Sequence, residues 1–573
     1  MTSLVSMAIF ALGFIVLGVN LKEVQVDKTA GYHYENVRQS VRRVRTAAPR
    51  GCIYDRNGKL LAGNRKTVNI VLNTTEFQKR TWEQTQAAIT EAIERAGGKI
   101  GKENPLSERQ IRRHINQRLA MPLTVWRDVS EETLAKFCEH EEEMPGFGTV
   151  ETEERIYPNG SLAAHLIGYV GRAESEGEAG DVKFNFSDRE MRGRSGVEHY
   201  YDSYLRGVSG EKNLLVDARG FTQDEETVKA ARRGLDLRLN LDADIQRAVE
   251  AELAGCVGAC VVMDPRDGGV LAFASAPGYN INEFVPVLSE ELYSRLAGDA
   301  RKPLLNRASG GAYAPGSTFK PVTALAGLGV GIPAEFTLEC TGVFEVGEMK
   351  LHCARRWGHG PENLRTALRD SCNPYFCNLA MEMGTNALIT TARELGLGEK
   401  TGIDFGVDMA GVVPDDVWKR KQYGRQWYPG DLAQMSIGQS MLLVSPLQMA
   451  RMAGALGTGY LVTPRLKAGE EPVKTKLPFP ESHLRVVRDG MELVVSAGSG
   501  KAGGEGVGVK VAGKTGTAEV GRGETRRKNT WFIAYAPAEN PSVAIAMVIE
   551  RGESGGTTTA PKVGRILRSI FNG

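Results

Sequence analysis

"GGAYAPGSTFKPVTALAGL", Gly310–Leu328, sets a turn of glycine, alanine and proline directly against an apolar run, with a serine and a lysine at the junction. Pro321 and the apolar residues after it predict a helix starting there, because proline at a helix start gives up an amide proton that has no partner anyway. Ser317 and Lys320 are three apart and so share one face, within reach of each other. A serine hydroxyl becomes a nucleophile when a base takes its proton, and a lysine serves as that base if burial or neighbouring cations keep it neutral. Amides at the helix start would stabilise an oxyanion forming beside the serine. The spacing alone is weak, since it recurs at Ser209–Lys212 and an N-cap serine with a solvated lysine explains it as well.

Two further stretches give it context. In "RDSCNPYFCNLA" (Arg369–Ala380), Ser371 and Asn373 precede an apolar segment, where a hydroxyl and an amide could relay a proton and hold a substrate amide. A Ser or Asx cap is the plain alternative. In "VKVAGKTGTAEV" (Val509–Val520), Lys514, Thr515, Gly516 and Thr517 lie in a strand-like run followed by another, "NTWFIAYAP". Gly516 would let a substrate backbone lie alongside the strand, while Lys514 and the threonine hydroxyls offer partners to an anion. A second Lys-Thr-Gly, Lys400–Gly402, sits in a loop context, which favours Lys514.

Around these stretches, "LDLRLNLDADIQRAVEAEL" (Leu235–Leu253) passes from strand to helix, and "ACVVMDPRDGGVLAFASAP" (Ala259–Pro277) reads as a hairpin turned at Asp264–Gly269. The expected fold is α+β (mixed α/β), helices packed on an antiparallel sheet, with a domain boundary near residue 230. Before it the chain reads as short strands interrupted by helices. Ser107 with Gln110 forms a capping-box pattern ahead of Ile111, Ile115 and Leu119, and Ser130 precedes Glu131 and Glu132 as an N-cap. Glu139–Glu143 reads as a solvated helix face and Glu174–Asp181 as an acidic surface loop.

The 573 residues call for more than one domain, and a net charge of +2 excludes nucleic-acid binding by bulk charge. Eight cysteines with no CxxC pair make neither a disulfide scaffold nor a zinc ribbon, although Cys340 and Cys353 bracket a hairpin that a disulfide could close in an oxidising compartment. "LVSMAIFALGFIVLGVNL" (Leu4–Leu21) would span roughly 27 Å as a helix against a bilayer core of about 30 Å. With no A-x-A-like cleavage site after it, an uncleaved transmembrane anchor over 1–22 is expected. Arg42, Arg43, Arg45 and Arg50 follow the run and no basic residue precedes it, which opposes the positive-inside rule for an exported body.

S-x-x-K, S-x-N and K-T-G in this order resemble the penicillin-binding and serine β-lactamase superfamily. "APRGCIYDRNGKLLAGN" (Ala48–Asn64), "RIYPNGSLAAHLIGYVG" (Arg155–Gly171) and "GRSGVEHYYDSYLRG" (Gly193–Gly207) are similar to the N-terminal blocks of class B penicillin-binding proteins. "PLLNRASGGAYAPGSTFKP" and "RRWGHGPENLRTALRDSCNPYF" are most similar to the elongation type, the penicillin-binding protein 2 group. The resemblance covers roughly residues 40 to 570. It implies a mostly β pedestal over 23–230 with a helical head at about 76–145, and a β-lactamase-like transpeptidase domain over 231–573.

The activity implied is DD-transpeptidation of peptidoglycan through a serine acyl-enzyme. Ser317 would be the nucleophile, Lys320 its general base, Ser371 the proton relay and Asn373 the holder of the donor peptide's amide. Lys514, Thr515 and Thr517 would bind the terminal carboxylate, and the N–H groups of Ser317 and Thr517 would form the oxyanion hole. The partners implied are D-Ala-D-Ala stem peptides with an amine acceptor, β-lactams as inhibitors, a SEDS-type lipid II polymerase and the cell-elongation complex. The chain would be single-pass in the cytoplasmic membrane with its body on the periplasmic side. Septal or sporulation transpeptidases are the nearest alternatives, then a β-lactamase or DD-carboxypeptidase and a non-catalytic scaffold; the anchor, the pedestal and intact Ser317, Lys320 and Lys514 favour the transpeptidase. Some elongation-type relatives hold zinc near the cleft, and His359 and Cys372 match that site. Acidic partners are not evident between Gly347 and Trp357, and Cys353 as a substitute ligand would compete with the disulfide, so no cofactor is expected.

Overall fold

The apolar N-terminal run forms a helix, α1 (Thr2–Lys22), in a computed structural model that describes residues 2–23, 40–118, 121–172, 186–187, 191–216, 222–285, 287–521 and 526–572. Phe10, Phe14 and Leu17 project outward from it, more than half exposed. Among the described residues no helix is long and apolar enough to cross a membrane. Described side chains begin at Met7, and the apolar run from there covers roughly 22 Å, short of a core of about 30 Å. Helicity is therefore established for this segment and a crossing is not. The acidic stretch Glu174–Asp181 lies outside the described residues.

In the N-terminal half, strand β1 (Val41–Thr46) pairs antiparallel with β6 (Gly210–Val216), which continues to β7 (Thr222–Lys229). The second sheet is built on one long strand, β3 (Leu60–Leu72), antiparallel to β2 (Ile53–Tyr54), β4 (Leu123–Trp126) and β5 (Phe147–Ile156). Helices α2 (Trp82–Ile100), α3 (Glu108–Arg118) and α4 (Glu131–Glu139) cover its far end, with Ile89, Ile93, Ile111 and Phe137 packed on Ile70, Leu72 and Trp126. The predicted starts hold: the Ser107 N–H and hydroxyl both donate to Gln110 Oε1 at 2.8 Å, and Ser130 Oγ accepts from Thr133 N at 3.3 Å.

Three stretches distant in sequence meet at Glu198. This fully buried carboxylate accepts from Arg50 Nε and Arg155 Nε, each at 2.7 Å, and from the Tyr157 hydroxyl at 3.2 Å; Arg50 also reaches Asp202 at 2.7 Å. Burial alone would raise the Glu198 pKa, but the two guanidiniums outweigh it and hold the group below its ordinary value. A paired buried cluster of this kind leaves an uncompensated charge if one member is removed, so it locks the geometry of the stretches that supply it.

The halves join where β8 (Leu237–Arg238) runs parallel to β2. Helix α5 (Ala243–Leu253) follows, capped by Asp242. The predicted hairpin forms from β9 (Gly258–Met263) and β10 (Val270–Ala276). Together with β13 (Ala512–Val520), β14 (Arg527–Ala536) and β15 (Val543–Glu550) it makes an antiparallel sheet in the order β10-β9-β15-β14-β13. The small hairpin of β11 (Val343–Val346) and β12 (Met349–His352) lies outside this sheet.

Residues alternate between the two faces of the sheet with the strand period of two. Val261, Trp531, Ile533 and Ala546 pack toward the main helical layer, which includes α6 (Lys320–Gly329), α7 (Leu364–Asp370), α8 (Asn373–Met383), α11 (Pro446–Thr458) and α12 (Glu481–Ser496). Between α8 and α11 in the chain come α9 (Asp416–Tyr423) and α10 (Pro429–Ser436), of which α10 adds Leu432, Ala433 and Met435 to that layer. Val262, Phe532, Ala534 and Met547 face α5 and α13 (Ala560–Phe571). Covering on both faces explains why "WFIAYA" and "AIAMVI" are continuous apolar runs.

The edges of this sheet differ. At β10, Gln246 satisfies Phe273 twice, accepting from its N–H at 2.7 Å and donating to its carbonyl at 3.1 Å. At β13, among the described residues, no strand occupies the outer edge, so an extended peptide can add there.

Candidate active site

Ser317 sits one residue after Gly316 on a 3-10 turn, Gly316–Phe319, that leads into α6. The regular helix begins at Lys320, with Pro321 in its first turn as predicted, and Ser317 lies on the 3-10 turn ahead of it. Three glycines let backbones close in around the serine. A Cβ on Gly516 would stand 2.8 Å from the Pro315 carbonyl, and one on Gly316, at φ +56°, 2.7 Å from the Thr517 carbonyl. Gly316 N donates to the Gly438 carbonyl at 2.8 Å. The space that Gly516 leaves is therefore taken by the serine-bearing turn, which presses on β13, and not by substrate.

Lys320 is fully buried and its amine reaches across to the second stretch. Nζ donates to the Ser371 carbonyl at 2.6 Å, Asn373 Oδ1 at 2.7 Å and Ser371 Oγ at 3.2 Å. Lys514, also fully buried, brings its Nζ to the same Ser371 Oγ at 2.9 Å. Burial lowers the Lys320 pKa to about 8, and burial together with the Lys320 charge lowers Lys514 well below its ordinary value. Ser371 holds φ +54°, the left-handed region, at the C-terminal cap of α7. A non-glycine residue there is strained by roughly 1 kcal/mol or more, and that backbone aims both its hydroxyl and its carbonyl at the lysines.

All four of Lys320, Ser371, Asn373 and Lys514 are thus in one hydrogen-bonded group. Ser317 adjoins it, and among the described residues its hydroxyl has no hydrogen-bond partner. Asn373 is engaged at both ends of its amide, since Nδ2 donates to the His352 carbonyl at 2.8 Å. Thr515 Oγ1 lies 2.6 Å from Ser499 Oγ, whereas Thr517 Oγ1 accepts from Gly555 N at 3.2 Å and its carbonyl from Gln439 Nε2 at 3.3 Å. Gln439 and Ser499 went unnoticed in the sequence. "SIGQS" (Ser436–Ser440) carried a signal in its glycine, whereas a lone serine such as Ser499 carried none.

A second cluster lies beneath. Cys340, Cys353, His359 and Cys372 bring their ligand atoms within 4.8 Å of one another. The disulfide that Cys340 and Cys353 could have closed does not form: both thiols are free and turn toward His359 Nδ1, at 3.7 and 3.5 Å. A tetrahedral zinc site with sulfur and nitrogen legs of about 2.3 and 2.0 Å has N···S edges of about 3.5 Å. The set therefore fits zinc as Cys3His. The expectation of no cofactor looked for carboxylates between Gly347 and Trp357; the ligands that complete the set are the two hairpin cysteines. A hydrogen bond from Cys372 holds Cys353 down to about 5, while Cys372 is pushed up.

A serine beside two buried lysines, next to the outer strand of a five-stranded antiparallel sheet, is an arrangement of the penicillin-recognising class. The penicillin-binding protein transpeptidase domain matches residues 258–571, and the penicillin-binding protein dimerisation domain residues 45–239. The peptidoglycan D,D-transpeptidase MrdA of Escherichia coli K12 is 31% identical over 97% of this chain and 91% of its own. Penicillin-binding protein 2 of Helicobacter pylori, solved in complex with MreC, superposes with a TM-score of 0.81 at 28% identity, covering 93% of this chain and 99% of that one. A peptidoglycan synthase complex, described as coordinating polymerisation and crosslinking, gives 0.76 at 28% identity over 100% and 98%. The chain belongs to the class B penicillin-binding proteins and is an elongation-type peptidoglycan D,D-transpeptidase.

Proposed function

We propose that Ser317 is the acylated residue and that the lysines serve it in turn. Lys320, whose amine burial makes easier to deprotonate, takes the Ser317 proton as the donor's D-Ala-D-Ala carbonyl is attacked. Ser371, bonded to both amines, passes a proton to the departing D-alanine. Asn373 exchanges its His352 carbonyl for the donor's amide. Lys514 with Thr517 and Thr515 binds the terminal carboxylate, and the Ser317 and Thr517 N–H groups hold the oxyanion. The observation that carries this reading is the Ser371 hydroxyl shared by Lys320 and Lys514.

Zinc held by Cys340, Cys353, His359 and Cys372 would fill all four positions of its sphere and so supply structure and no open site for chemistry. Because Cys372 lies between Ser371 and Asn373, those ligands would tie the strained S-x-N turn to the β11–β12 hairpin.

The chain is read as a pedestal over 23–230 with its head at about 76–145, a transpeptidase domain over 231–573 and a membrane anchor at 1–22, its body on the periplasmic side. Both the MreC complex and the synthase complex among its structural neighbours support work within a cell-elongation assembly. A SEDS-type lipid II polymerase would supply the glycan that this chain cross-links. The test is intact mass after incubation with a β-lactam. A stable adduct on the wild type that is absent from Ser317→Ala supports the reading; rapid turnover to hydrolysed drug, or no adduct on either, overturns it.

A further inference from the structure

Helix α10 runs out in the stretch "SIGQS" (Ser436–Ser440), which supplies a side chain that the mechanism does not use. The chain turns back on the helix end there: Gly438 N donates to the Met435 carbonyl at 2.8 Å and Gln439 N to the Gln434 carbonyl at 2.9 Å. Gly438 holds φ +73°, and a Cβ on it would stand 2.0 Å from the Gly316 carbonyl, so this turn lies backbone to backbone against the one that bears Ser317. Ser440, next in the chain after Gln439, holds φ +68°, left-handed strain of roughly 1 kcal/mol or more.

Two successive residues of the turn hold two segments that are distant in sequence. The Gly438 carbonyl accepts from Gly316 N at 2.8 Å, one residue before Ser317. Gln439, half-buried, donates from Nε2 to the Thr517 carbonyl at 3.3 Å. A Cβ on Gly316 would stand 2.7 Å from that same carbonyl, so the two segments also press on each other. Among the described residues β13 pairs with β14 alone, and the side of Thr517 that Gln439 and Gly316 reach is the open one. In a strand the N–H and C=O of one residue point to the same side. The Thr517 N–H therefore points to the open edge with its carbonyl, toward the Ser317 turn. A carbonyl oxygen has two lone pairs, so Gln439 leaves one for the amide of an added peptide.

We propose that Gln439 is the positioning residue of the oxyanion hole, setting the Thr517 N–H at its working distance from the Ser317 N–H. As Ser317 Oγ bonds to the donor's carbonyl carbon and gives its proton to Lys320, the π pair of that carbonyl moves onto its oxygen. Two donors have to stand about 2.7–3.1 Å from the place where this charge develops. One comes from the Gly316–Phe319 turn and the other from β13, and only the Gly438–Gln439 turn bonds to both neighbourhoods at once. The inference rests on the reading of Ser317 and Thr517 above.

The test uses the full chain and Gln439→Met, which keeps the length of the side chain and removes its donor. Benzylpenicillin gives the acylation rate constant and the non-covalent dissociation constant separately by stopped flow. Phenylacetamidomethylboronic acid, whose boron bonds to Ser317 Oγ, places an oxygen where the oxyanion would stand. The expected result is an acylation rate constant about tenfold lower, short of the roughly 10²–10³-fold cost of removing an oxyanion donor outright. Boronate affinity should fall by the same factor, with the non-covalent constant little changed. The pH limb near 8 should stay in place, because it belongs to Lys320. Gln439→Glu, with a carboxylate facing the carbonyl and the oxyanion, should acylate more slowly than Gln439→Met. Wild-type rates in either variant overturn the proposal, and so does a loss confined to the non-covalent constant, which would make Gln439 a binding residue. A rate that falls together with the melting temperature or with a displaced pH limb assigns the side chain to packing and overturns it as well. Normal acylation of wild-type Ser317 beside indifferent variants removes this inference alone; an adduct mapped to another residue removes the Ser317 reading and this inference with it.

Discussion

Lys514 places its amine 2.9 Å from the hydroxyl of Ser371, which Lys320 reaches at 3.2 Å. Both amines are fully buried, and two cations in so small a dry space repel, so protonating one disfavours protonating the other. Ser371 is the atom through which a proton can pass between them, and its backbone is strained to put it there.

Replacing Ser371 by glycine therefore separates fold from chemistry. Glycine accepts φ +54° without strain, so Ser371→Gly should raise the melting temperature slightly or leave it unchanged, while loss of the relay cuts β-lactam acylation by roughly 10²–10⁴-fold. Thermal melts and stopped-flow acylation read the two effects apart. A variant that melts lower and acylates normally would show that the hydroxyl serves packing.

The depressed Lys320 amine gives the pH dependence. Below about 8 the amine is protonated and cannot accept the Ser317 proton; above it the neutral form dominates. Acylation should rise with pH through a limb centred near 8, and Lys320→Arg, whose guanidinium does not deprotonate, should abolish it. A rate that is level from pH 6 to 9 would assign the base elsewhere.

How far the sequence carried these conclusions depends on the range over which each residue acts. Local signals were legible: the Ser107 and Ser130 helix starts, the β9–β10 hairpin and the strand-like apolar runs of the catalytic sheet all depend on neighbours in the chain. The three motif stretches also pointed to Lys320, Ser371, Asn373 and Lys514. What spacing could not give was tertiary: Gly516 admits the Ser317 turn, Gln439 holds the Thr517 carbonyl, and Cys340 and Cys353 turn to His359 instead of to each other. Two cysteines bracketing a hairpin suit a disulfide or a pair of zinc ligands, and only the position of His359 between them decides.

Metal removal tests that decision. The purified chain should carry about one zinc per molecule by elemental analysis, and Cys340→Ser or Cys353→Ser should lose most of it. Stripping the metal should lower the melting temperature and slow acylation, since the Ser371 turn loses its tether. A fully loaded Cys353→Ser protein, or a wild type free of zinc and indifferent to chelator, would contradict the Cys3His assignment.

In the pedestal, Glu198→Gln keeps the shape of the side chain but leaves Arg50 and Arg155 facing a neutral group. The cost expected for breaking a buried ionic cluster is about 3–5 kcal/mol, seen as a lower urea midpoint. Because the cluster is far in sequence from Ser317 and touches none of its group, acylation by the molecules that remain folded should be preserved. Stability equal to wild type would mean that the two arginines find other partners.

His165 lies at the seam between the two halves, with its Nε2 2.6 Å from the Pro303 carbonyl. Burial, the largest influence, lowers its pKa to about 4 against an ordinary 6.5, and the hydrogen bond only partly opposes this. The folded chain therefore keeps the ring neutral where the unfolded chain would protonate it. Between pH 6.5 and 4 the unfolded state binds the extra proton, so the His165 contribution is fully present above 6.5 and is lost as pH falls toward 4, by at most about 3 kcal/mol. His165→Gln, which cannot titrate, should lose less stability than the wild type over that window when urea midpoints are compared from pH 7 to 4.5. Parallel curves for the two proteins would mean that the seam opens and lets His165 charge in water before the fold as a whole gives way.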